Sequence, residues 1–343
     1  MNRLITCVCL SIILLGCSQQ GKKQGDTDKK EVTEVLLTSK KYDNELIIPP
    51  PFSLDIVKDN LMLFFPNGDG FVKTCNKDDL SLISEWGKIG NGPDEFISIQ
   101  YCGCLSNGGE TKLYLYDFNL RTVREYLVED DSKLKLTSTK KLKDKDVYVT
   151  NLRVLNEDCF LGSVVFGKDA PIVLLDKDLN IVSNFGNLKE RPEKGEGSQS
   201  YAGRFASDGS HFVYAMQDFG YLACYEVKNG NVEQKWTYYM EEPLFDEYGG
   251  LDKRRLLDGF WDIDIKNDTV YAVYNGKKDS ERKNIGGNRF PTLIFSFDIH
   301  TGAVLEKYRT DRDICRFCID ENGVIYGVGV NPEVEVVRYY HGL

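Results

Sequence analysis

The chain has 343 residues, 41% hydrophobic and 28% charged, enough for one large β domain or two ordinary ones. Its formal net charge of −10 argues against nonspecific binding to nucleic acid or to an anionic membrane surface. Only three histidines are present, His211, His300 and His341, none beside a Cys, Asp or Glu at a recognisable ligand spacing, so His-based metal sites and triads have few seats.

Residues 1–16 read as a signal peptide. Arg3 supplies the positive start, and the apolar run 4–15 is too short to span a bilayer. The run ends in Leu14-Leu15-Gly16-Cys17, which resembles the bacterial lipoprotein cleavage box. That resemblance implies that Cys17 becomes the lipid-modified first residue and that the membrane is reached through this anchor only. The competing reading is an ordinary secretory signal that happens to contain Cys17. Residues 18–31 hold no apolar side chain, so 17–31 is expected to be a flexible tether. Residues 32–343 are expected to form a single domain.

From residue 32 onward, short runs of strand character alternate with turn residues, and no run keeps a helical period over three turns. The 31 glycines, 19 tyrosines and 18 phenylalanines lean the same way. The runs group in fours: 52–57, 61–65, 71–75 and 80–86; then 97–105, 112–117, 122–129 and 134–142; then 147–155, 159–166, 171–176 and 181–185. The fourth group is 201–207, 212–216, 220–227 and 232–239, and the fifth is 260–266, 269–274, 292–298 and 304–310. Second strands often carry a tyrosine (Tyr114, Tyr214, Tyr271, Tyr326). Third strands often end in turns led by Asp117, Asp176 or Asp298, which read as hairpin punctuation rather than catalytic carboxylates.

The sixth group holds only 314–319, 324–330 and 335–340. The run 32–38 has no place in the first group and is available as the missing partner. Pairing it with the last group closes a ring and removes two free sheet edges. The expected fold is all-β: a six-bladed β-propeller of four-stranded blades, closed by an N-terminal strand pairing with the last blade, and monomeric.

The stretch 86–96, WGKIGNGPDEF, is the crossing from the first blade to the second. Its Gly90, Gly92, Pro93, Glu95 and Phe96 match a G-x-G-P-x-E-F-like segment. With the lipoprotein signal and the six groups, the chain resembles the TolB-like six-bladed β-propeller lipoproteins of Bacteroides-type bacteria. The resemblance implies a propeller and an address, the cell envelope, with lipid anchoring in the outer membrane. TolB itself pairs with partner proteins through its propeller, which implies a binding role by analogy. The glycines are not a nucleotide loop, because no Lys-Ser/Thr pair and no helix follow them.

Of the ten cysteines, Cys75, Cys102, Cys104, Cys159, Cys224, Cys315 and Cys318 lie after the anchor. An odd number at irregular spacing is not a disulfide framework. Cys102 and Cys104 with Cys315 and Cys318 admit a four-thiolate zinc reading, but both pairs sit in strand-like runs, and the preferred reading is small buried residues.

In a propeller the first strand of each blade lines the channel. Arg204 and Arg316 fall ten residues before Tyr214 and Tyr326, and Trp261 ten before Tyr271. Arg153 lies in the corresponding strand of the third group. Arginine makes bidentate contacts to carboxylate or phosphate, so three converging on a channel would attract an anionic group. Trp261 and Tyr101 would offer a stacking face. The competing reading is that each arginine pairs with an acid such as Asp55 or Asp262 and only holds blades together. The expected ligand-binding residues are therefore Arg153, Arg204, Arg316, Trp261, Tyr101 and Asp262, with no metal and no cofactor.

Two functions stay open. The first is a binding lipoprotein that engages a peptide, glycan or protein partner. The second is a metal-dependent, lactonase-like hydrolase or lyase. The second needs convergent oxygen ligands, for which only Asp55, Asn151, Asp262 and Asp264 qualify. No G-x-S-x-G segment supports a serine nucleophile. Binding is the preferred reading, with no catalysis expected.

Overall fold

Alternating aromatic and β-branched residues, cut by Gly- and Asp-led turns, give this chain strands and hairpins. The computed structural model describes residues 32–43, 46–66, 70–90, 92, 95–130, 132–166, 170–188, 203–228, 230–278 and 290–341. The signal peptide, Cys17 and the tether lie outside the described residues, as do Pro93 and most of the connections 186–200 and 275–289. The propeller falls within the compact unit Thr33–Leu343.

Six antiparallel sheets follow one another along the chain. Their inner strands are Ser53–Val57, Ile99–Asn107, Tyr148–Asn156, Gly203–Ser207, Phe260–Lys266 and Ile314–Ile319. Each inner strand packs beside the next, and the sixth packs beside the first, so the ring is closed. This is the expected six-bladed propeller of four-stranded blades.

Burial follows the same division. Six clusters of buried apolar side chains lie one in each gap between neighbouring blades. Between blades 3 and 4, for example, Leu161 and Leu174 meet Phe212 and Tyr214, all fully buried. Each such side chain is worth about 1.5–3 kcal/mol of burial, and it is realised only when the neighbouring blade is present. The blades are therefore held together by their shared layers.

The ring closure differs in detail from the sequence reading. Glu34–Leu37, within the run expected to complete the sixth blade, instead adds a fifth strand to the fifth blade, parallel to Val304–Thr310. The N-terminal strand that pairs with the last blade is the shorter Lys40–Lys41, antiparallel to Glu335–Tyr339. Burial and charge both hold Glu34–Leu37 on blade 5: Leu37 packs into the layer between blades 5 and 6. Glu34 is gripped by Lys307 at 2.7 Å and by Arg309, which together hold its carboxyl down at about 2. Ser39 then donates two hydrogen bonds of 3.0 Å to Asp311 Oδ2, carrying the chain across to blade 6.

The turn reading of the aspartates holds. Asp176 Oδ1 accepts the backbone N–H groups of Asp178 and Asn180, and Asp298 Oδ1 those of His300 and Thr301. The crossing from blade 1 to blade 2 is likewise structural. Gly92 N–H donates to Glu95 Oε2 at 2.8 Å, and a Cβ at Gly90 would meet that oxygen at 2.0 Å. Phe96 is fully buried between Trp86, 5.9 Å away edge-on, and the Arg124 guanidinium at 4.3 Å.

Candidate functional site

The inner strands surround a central cavity of about 290 Å³. Blade 1 contributes Asp55, blade 2 Gln100 and Tyr101, blade 3 Asn151 and Arg153, blade 4 Arg204, and blade 5 Asp262 and Asp264. Four of these strands carry a β-bulge beside the cavity: Cys102, Trp261 and Cys315 are extra residues, and Asn151-Leu152 oppose Gly162. A bulge bends the strand and re-aims the side chains on either side of it. Asn151, at φ 47°, occupies the left-handed region that asparagine tolerates.

Of the six residues expected from sequence, four line the cavity: Tyr101, Arg153, Arg204 and Asp262. Arg316 is not among the lining residues. Its Nε donates to the Phe52 carbonyl at 2.7 Å and its guanidinium to the Cys315 carbonyl at 2.5 Å, so its donors are partly spent on backbone. Trp261 is not among the lining residues. It occupies the bulge and packs edge-on against Phe290 at 5.3 Å. Tyr101 offers no open stacking face. Its ring lies on Phe64 at 4.0 Å, the Arg153 guanidinium stands 5.5 Å from it, and its hydroxyl donates to Asp55 Oδ2.

Asp55, named in the sequence only as an alternative partner or metal ligand, and Asp264 complete the charge set. Each carboxylate is fastened to backbone. Asp55 Oδ1 accepts Ile56 N–H, Asp262 Oδ2 accepts Phe317 N–H at 3.0 Å, and Asp264 Oδ2 accepts Ile319 N–H at 2.9 Å. Burial, reinforced by the neighbouring Asp55 carboxylate, pushes Asp264 up to about 7.

The arginines are less well satisfied. The Arg204 Nε stands 3.8 Å from Asp262 Oδ1, too far for a hydrogen bond, and is buried without a hydrogen-bond partner. Burial and the repulsion of Arg316 pull Arg204 down to about 10, against the pull of Asp262. The Arg153 Nε is also buried without a hydrogen-bond partner. For Arg153, burial acts downward, but Tyr101, Asp55 and Asp264 outweigh it and raise the group. The competing reading therefore holds in charge but not in hydrogen bonding: Arg204 keeps a loose ion pair with Asp262, and Arg153 lies in the field of Asp55 and Asp264, yet neither Nε has an acceptor.

The oxygen ligands that a metal-dependent enzyme would use lie in the same place. Among the described residues, however, no group of three or more His, Cys, Asp or Glu side chains is arranged to hold a metal ion. Nor do the cysteines form a cluster of that kind. All seven described cysteines are free thiols, and burial pushes Cys315 up to about 11 and Cys104 to about 12.

A family model described as TolB-like 6-blade propeller-like matches residues 26–322. The crystal structure of a Bacteroides fragilis protein inferred to be exported matches over 91% of this chain and 96% of its own, at 11% identity with a TM-score of 0.58. The β-propeller domain of Cps50 (Swd1) from Myceliophteria thermophila matches over 88% and 99%, at 9% identity and a TM-score of 0.49. The WD40 β-propeller domain of Doa1 matches over 89% and 95%, at 14% identity and a TM-score of 0.46. A comparison with curated proteins found no match.

Proposed function

Because the chain belongs to the TolB-like 6-blade propeller family, we propose that it is a binding protein of the cell envelope whose central cavity takes a small ligand bearing an anionic group. The observation that carries this is Arg204. Its guanidinium borders the cavity, its Nε has no hydrogen-bond partner, and the one nearby acid stands at 3.8 Å. Buried charge is normally paired, and an arginine left this way costs free energy until an acceptor arrives. A carboxylate or phosphate oxygen meeting the part of the guanidinium that the cavity leaves exposed would supply the missing charge partner, with Arg153 flanking it.

Calorimetric titration of the mature protein with a panel of small carboxylates and inorganic phosphate tests this. The expected result is saturable binding that weakens by at least about tenfold in an Arg204→Ala variant, the scale of a lost charge-assisted hydrogen bond. No binding across the panel, or equal affinity in the variant, overturns it.

The address forms part of the same proposal. The cleavage box ending in Cys17 and the fold shared with a Bacteroides fragilis protein inferred to be exported support a lipid-anchored protein of the outer membrane. Replacement of Cys17 by alanine is expected to move the protein from the membrane fraction to the soluble fraction. Retention in the membrane would contradict the anchor.

A further inference from the structure

The cavity is lined by both signs of charge, and they are not evenly mixed. Asp262 and Asp264 lie two residues apart on one strand, so they face the same side at successive levels of the channel. Their anchors, the N–H groups of Phe317 and Ile319, are likewise two apart on the neighbouring strand. At the first level Asp262 meets Arg204, and Arg316 acts on Arg204 from blade 6. Among the lining residues that level holds one guanidinium, with an unsatisfied Nε, against one carboxylate. At the second level Asp264 shares the field of Asp55 and Arg153, with the Tyr101 hydroxyl bound to Asp55. That level holds two carboxylates against one guanidinium.

A simple anion entering this cavity gains Arg204 but meets a surplus of carboxylates beyond it. A simple cation gains those carboxylates but leaves Arg204 without an acceptor. Resting on the anion site proposed above, we propose that the ligand is a zwitterion of about amino-acid size: its carboxylate accepts from Arg204, and its ammonium donates to Asp264 and Asp55. Each of those carboxylates already accepts two hydrogen bonds from the protein and has lone pairs to spare. An ammonium carries three donors, enough to bridge both acids. The volume of about 290 Å³ suits one such molecule, or a short dipeptide, rather than a folded partner or a long glycan. A cation placed there also relieves the repulsion between Asp55 and Asp264, which no part of the described protein does fully.

The test uses matched probes on the mature wild-type protein at neutral pH. The free amino acids and simple dipeptides are titrated beside their deaminated and decarboxylated analogues; for leucine these are 4-methylpentanoate and 3-methylbutylamine. The expected result is that at least one zwitterion binds about tenfold or more tightly than either of its single-charge analogues. An Asp264→Asn variant should lose that preference while still binding the carboxylate analogue. An Asp55→Asn variant serves if the first does not fold. If carboxylate analogues bind as well as their zwitterions, this inference fails while the anion site stands. If nothing in the panel binds and inorganic phosphate does not bind either, both fail.

Discussion

At the scale of single residues, Asp264 links stability to the cavity. Its folded-state pKa is raised from 3.8 to about 7, by burial first and by Asp55 second. A raised carboxyl favours the protonated folded form. Its contribution is fully present below the unfolded value and is lost as pH rises through about 7. Thermal melts of wild type and Asp264→Asn at about pH 5 and about pH 8 should therefore differ less at the lower pH and more at the higher, with the variant the more stable at pH 8. Parallel pH profiles would contradict a raised Asp264 carboxyl. The same scale shows how far the site was legible. Arg153, Arg204 and Asp262 were found because inner strands of a propeller line its channel. Trp261 was misplaced for a countable reason. The hairpin after it is only Asn267-Asp268, whereas Ser207 pairs with Phe212 and Ile319 with Ile325, so equal spacing to the next tyrosine does not mean equal register. Bulges depend on backbone pairing, and nothing in the one-dimensional pattern announces them.

At the scale of elements, the four-strand groups were legible because each blade repeats the same period and punctuation. The sheet partner of the first strand was not. Residues 32–38 have strand character, but their blade is settled by contacts about 270 residues away in sequence: Glu34 with Lys307 and Arg309, and Leu37 in the layer between blades 5 and 6. Deleting residues 33–41 from the otherwise intact chain removes the buried Leu37, the Glu34 ion pairs and the outer strand of blade 6. The exposed edges of blades 5 and 6 would then be free to associate. The melting temperature should fall by about 5 °C or more, given about 1.5–3 kcal/mol for the leucine alone. An unchanged melting temperature would mean that the ring is held by its inter-blade layers without this clasp.

At the scale of the whole molecule, the ring gives each strand a separate task. The crossing 86–96, the most distinctive sequence in the chain, fixes the junction between two blades through Glu95 and Phe96. The inner strands, with far less distinctive sequence, bring charges from blades 1, 3, 4 and 5 into one small volume. Arg153 is held by the acids around it, whereas Arg204 is lowered by burial and Arg316 and keeps an Nε without an acceptor, so Arg204 is the group a ligand would serve. The most direct test is a crystal structure of the mature protein with the tightest-binding member of the amino-acid and dipeptide panel. The account predicts the ligand in the central cavity, its carboxylate within hydrogen-bond distance of the Arg204 guanidinium, about 3 Å. A ligand bound at the rim, with Arg204 paired to a protein carboxylate and the cavity holding only water, would contradict it.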